Sequence, residues 1–108
     1  MAASIDESFL TEVVNRTLQV VTPDRIILFG SATSGRVTDD SDVDLLILEQ
    51  SPTDPRGERI RVREALRGLG VPFDIIVMST DRFEESKGVV GGIAYPAHKY
   101  GRVIYEAA

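Results

Sequence analysis

The stretch ILFGSATSGRVTDDSDVDLLIL, residues 27–48, sets two apolar runs around a polar segment that ends in Asp39, Asp40, Asp42 and Asp44. Asp44 stands directly against the run Leu45-Leu46-Ile47-Leu48. A carboxylate at the mouth of an apolar strand loses hydration and is repelled by its acidic neighbours, a cost that a cation or a strong donor must offset. The arrangement asks for a positively charged partner.

Outward from this stretch, hydrophobic periodicity divides the chain into alternating elements. Ile5, Phe9, Leu10, Val13, Val14 and Leu18 recur at helical spacing, with Ser4 as a candidate cap and Asp6 and Glu7 in the first turn. The continuous run at 25–29 reads as a strand covered on both faces, and 42–49 as a second strand. A helix is expected from about Pro55 to Leu69, stopped by Gly70 and Pro72, then a third strand over 72–79. Thr80 or Asp81 can cap a short helix. The tail carries a Gly-rich hinge, a short helix near Pro96 to Tyr100 and a last strand, RVIYE, at a sheet edge. Helices mixed with strands imply an α/β or α+β fold, one mixed sheet with helices packed on it.

At 108 residues the expectation is a single domain over 1–108, large enough for one core and too small to hold a separate substrate domain. The net charge of −5 argues against direct nucleic-acid binding through the phosphate backbone. With no cysteine, disulfides, zinc-thiolate sites and thiol nucleophiles are excluded. No basic leader precedes an apolar stretch and no apolar run reaches membrane-spanning length, so the expected location is cytoplasmic. The GxxxxGK[ST] phosphate loop is absent, and a single histidine leaves no basis for a Ser-His-Asp triad.

Three features converge on one site. Gly30 and Ser31 follow a strand, where a residue without a side chain lets an anion approach the backbone and a hydroxyl and amides can bind phosphate oxygens. Asp42 and Asp44, two apart on a strand, share a face at roughly 6 to 7 Å, the hard-oxygen pairing that suits Mg²⁺. Asp74 lies inside the apolar strand that follows, on the face of Ile76 and Met78. Together they fit a two-metal phosphoryl-transfer site, with Asp42 and Asp44 bridging two Mg²⁺ ions. Asp74 would complete the second metal's shell and help draw a proton from the acceptor hydroxyl.

The pattern Gly30-Ser31, then Asp42-Val43-Asp44, with Asp74 on a later strand, resembles the signature of the polymerase-beta-type nucleotidyltransferase superfamily. The small size and the ending GRVIYE look most like its minimal nucleotidyltransferases. The resemblance covers about Arg25 to Tyr105. It implies a polymerase-beta-like fold with a mixed sheet of about four strands flanked by helices, and catalytic, metal-binding Asp42, Asp44 and Asp74. It also implies Mg²⁺-dependent transfer of AMP from ATP, with pyrophosphate release. Members of this group are commonly antitoxins that adenylylate a tyrosine on a HEPN-type toxin. One departure stands out: the family often reads Gly-Ser-Arg-Ala-Arg-Gly where this chain reads Gly30-Ser31-Ala32-Thr33-Ser34-Gly35, so Arg36 is the arginine left near the phosphates. A non-catalytic antitoxin with a vestigial nucleotide site, or a transferase acting on a small molecule or RNA, are the alternatives. Homo- or hetero-oligomer assembly is left open.

Other features carry less. Arg59, Arg63 and Arg67 recur every four residues and read as a solvated helix face, or else as a basic stripe for RNA, a partner or triphosphate. His98 is expected at the surface, Met78 in the core, and Tyr95, Tyr100 and Tyr105 either as modification targets or as aromatic closure of a small core.

Overall fold

The structure, a computed structural model, describes residues 6–30 and 43–108. Its elements run α1 (Glu7–Leu18), β1 (Arg25–Phe29), β2 (Val43–Glu49), α2 (Pro55–Ala65), β3 (Phe73–Ser79), α3 (Thr80–Ser86), α4 (Ala94–Tyr100) and β4 (Arg102–Glu106). The strands form a mixed sheet in the order β3-β2-β1-β4. β1 pairs antiparallel with β2 and β4, whereas β2 and β3 are parallel. α2 supplies the crossover that a parallel pair requires.

Alternation along the strands sorts the core onto two faces. Ile26, Leu28, Val43, Leu45, Ile47 and Ile75 pack with Leu10 and Val13 of α1 and with Val62 and Leu66 of the α2 region. The opposite parity, Ile27, Leu46, Leu48 and Met78, packs with Phe83 of α3 and Ala94 and Ala97 of α4. β1 and β2 are therefore covered on both sides, which is why they read as unbroken apolar runs.

Local chemistry sets the boundaries. Ser4 lies outside the described residues; the observed cap of α1 is Asp6, whose carboxylate accepts from the Phe9 N–H at 2.8 Å. The far end of α1 is tied down by Arg16, which donates to the carbonyls of Ala65 and Arg67. α2 stops at Ala65, short of the expected Leu69, and Gly68 and Gly70, both at positive φ, carry the chain back toward β3. Ser79, not Thr80 or Asp81, caps α3 by accepting from the Arg82 N–H. α4 begins two residues earlier than expected, at Ala94, because Pro96 falls within its first turn, where a missing N–H costs no helical bond. β4 occupies a sheet edge, as its sequence suggests.

Candidate active site

Asp44 and Asp74 sit near the starts of β2 and β3. Because those strands run parallel without a register shift, the two residues are direct partners across the sheet. Neighbouring strands lie about 4.8 Å apart, so paired side chains on one face bring two carboxylates within reach of a shared cation. Strand parity puts both on the face of Leu46, Ile76 and Met78, beyond the end of that apolar cluster. Asp44 is half-buried and Asp74 exposed.

The third element comes from β1. Phe29 pairs with Asp44, so Gly30, the next residue, falls beside the Asp44 carboxylate. Its backbone has φ +78°, and a Cβ at this position would lie 2.0 Å from Asp44 Oδ2. A side chain is disfavoured twice, because the Asp44 carboxylate would have to shift and because the backbone is left-handed. The structure thus brings together Gly30, Asp44 and Asp74 of the sequence-derived set. Asp42, Ser31 and Arg36 lie outside the described residues.

The donors present are oxygens, the class that hard divalent cations prefer. Among the described residues no group of three or more acidic or histidine side chains is assembled that could hold a metal by itself. Asp44 and Asp74 supply two.

A second carboxyl pair, which the sequence reading missed, stands at the other end of β2. Glu49 and Glu58 are 9% and 8% exposed, and the Oε2 atom of each is buried without a hydrogen-bond partner. Burial, followed by its contact with Glu58, raises the Glu49 carboxyl to about 7 against the pull of Arg61. Glu58 does not lie on the solvated face of α2. It precedes Val62 and Leu66 at intervals of four, the stripe that packs on the sheet, and that spacing was the available signal.

The remaining candidates fall as follows. Arg59, Arg63 and Arg67 are exposed, and Arg67 pairs with Glu64 at 2.8 Å. His98 is exposed with its ring edge-on to Phe83, Met78 is buried, and Tyr100 is 64% exposed rather than closing the core. No helix among the described residues is long and apolar enough to cross a membrane.

The sequence profile of the nucleotidyltransferase domain family matches residues 9–98, a span holding Gly30, Asp44 and Asp74. The chain belongs to the nucleotidyltransferase domain family. No curated protein matches this nucleotidyltransferase by sequence. Solved structures share its fold. One is a toxin-antitoxin crystal structure with AMP-PNP, at TM-score 0.64 and 16% identity over 91% of this chain and 73% of the other. A second is the tri-AMPylated Shewanella oneidensis HEPN toxin in complex with MNT antitoxin, at TM-score 0.61 and 15% identity over 94% and 72%. A nucleotidyltransferase structure from Sulfolobus solfataricus aligns at TM-score 0.59 and 19% identity over 92% and 78%.

Proposed function

We propose that this nucleotidyltransferase moves AMP from ATP onto a hydroxyl of a partner protein, a tyrosine of a HEPN-type toxin, and so acts as the antitoxin of the pair. The observation that carries the reading is the in-register Asp44–Asp74 pair with Gly30 against Asp44. Asp42, Asp44 and Asp74 are the residues that would hold Mg²⁺. When bound, the ions neutralise phosphate charge and favour the ionised acceptor oxygen.

In the transfer, the acceptor oxygen attacks the α-phosphorus of ATP. The new O–P bond forms as the bond to the β-phosphate bridging oxygen breaks, and pyrophosphate leaves with that electron pair. Asp74, exposed at the front of the site, takes the hydroxyl proton. Gly30 admits the triphosphate close to the backbone, and Ser31 and Arg36 would bind its oxygens.

Incubation with labelled ATP, Mg²⁺ and a HEPN-type toxin, followed by intact mass of both chains, tests this. AMP mass on the toxin, lost with Asp44→Ala, is the expected outcome. Undiminished transfer by Asp44→Ala would remove the mechanism.

A further inference from the structure

The two edges of the sheet are built differently. β4 has five residues, a register shift opposite Ile26 and Ile27, and charged ends in Arg102 and Glu106. Arg102 is further held by Glu7 at 2.6 Å. Short length, irregular pairing and charge are the devices that keep an edge from recruiting another strand. β3, at the opposite edge, is longer and regularly paired, and its one charge is Asp74, at the end that meets the site. It is seven residues long, keeps unbroken register with β2 from Phe73 to Ser79, and carries only apolar side chains between Asp74 and Ser79. No described strand pairs with its outer side.

A groove of about 330 Å³ runs along that outer side. Ile75, Ile76 and Val77 line it, with Arg56 and Arg59 of α2 and with Ile93 from the segment between α3 and α4. Ile93 is 60% exposed, and Val89 and Val90 in the same segment are 56% and 78% exposed. Backbone groups that no described strand pairs, an apolar lining and a flanking cationic pair describe a receptor for an added strand, in which main-chain hydrogen bonds give affinity and side-chain pockets give selectivity.

Resting on the transferase reading above, we infer that an extended, acidic segment of the acceptor protein adds to β3 along this groove and delivers its hydroxyl to Asp74. Arg56 and Arg59 set the sign of the segment: they are exposed arginines on a chain of net charge −5. A second copy of this chain fits less well, because its own β3 offers apolar residues and Asp74 but no acidic run for the arginines. Continuity with the site gives the docking its purpose. Asp74 directly precedes the groove-lining Ile75 on the same strand, so a strand paired here is already aligned with the carboxylates.

The test is hydrogen exchange on the chain alone and in complex with a purified HEPN-type toxin, with AMP transfer and ATP affinity measured in parallel. The β3 amides that face away from β2 are expected to exchange about tenfold or more slowly in the complex. The Arg56→Glu/Arg59→Glu pair, and separately Ile93→Lys, are expected to weaken toxin affinity about tenfold while ATP affinity is unchanged. Toxin binding at wild-type affinity in both variants, with β3 exchange unaltered, overturns the docking even if AMP transfer proceeds. Protection of β3 without AMP transfer supports the docking and removes the transferase reading. Protection that rises with the chain's own concentration, without toxin, assigns the edge to a second copy and overturns the proposal, and failure to form any complex overturns both readings.

Discussion

Replacing Glu49 with glutamine is expected to abolish a pH dependence of stability that the buried pair imposes. In the unfolded chain Glu49 ionises at its ordinary value of 4.5, and in the folded chain at about 7. Desolvation is the main cause, followed by Glu58; Asp24 adds to it and Arg61 opposes it. Below pH 4.5 Glu49 is protonated in both states and contributes nothing. Between 4.5 and about 7 the unfolded state has released its proton while the folded state retains it, so stability falls as pH rises, and it levels off above 7. At 1.36 kcal/mol for each pH unit, the loss amounts to about 3 kcal/mol, on the order of 10 °C in Tm for a chain this size. Glu49→Gln keeps the shape and offers Glu58 an N–H donor without taking on charge. The expected result of urea unfolding at pH 5.5, 6.5, 7.5 and 8.5 is a falling midpoint for the wild type and a flatter profile for Glu49→Gln. The variant should be the more stable protein above pH 7. Parallel profiles for the two proteins would refute the reasoning.

Gly30→Ala is expected to cost about 1–2 kcal/mol for its left-handed backbone. To clear the new Cβ, the Asp44 carboxylate must move by about 1 Å, a displacement that can lower turnover on the order of 10²-fold. Thermal melts with AMP-transfer rates check both halves, and near-normal transfer would show that Asp44 does not need its present position. Gly101→Ala is a test of packing alone. Its Cβ would meet the Ala97 carbonyl at 2.2 Å and Ile27 Cγ2 at 2.7 Å, where α4 turns into β4. Overpacking there is expected to destabilise by about 1–3 kcal/mol, read from denaturant midpoints, with ATP affinity unchanged.

Much of the fold was legible because the chain states it locally. The continuous run at 25–29 marked a strand buried on both faces, 42–49 marked a second strand that β2 matches from Val43 to Glu49, and RVIYE marked an edge strand to the residue. Helix ends were less legible. Asp6 and Ser79 cap through carboxylate and hydroxyl groups that compete with Ser4, Thr80 and Asp81 as neighbours of the same chemistry. Which of them caps depends on where tertiary packing starts the helix. Of the two readings left open for Tyr100, its exposure excludes closure of the core; aromatic character by itself does not reveal whether a partner surface lies within the same chain.

By itself the sequence determined the parts of the candidate site. Asp44 against an apolar run, Asp74 within another and glycine after β1 are unusual residue types for their local environments, and one chain suffices to show it. Only the tertiary structure decided that β2 and β3 are parallel and in register, so that Asp44 faces Asp74, and that Gly30 lies where a Cβ would collide with Asp44. It alone also joined Glu49 to Glu58 and left β3, not β4, as the unguarded edge. Strand order and register arise from contacts between residues far apart in the chain, and the strength of those contacts depends on burial that no local pattern records.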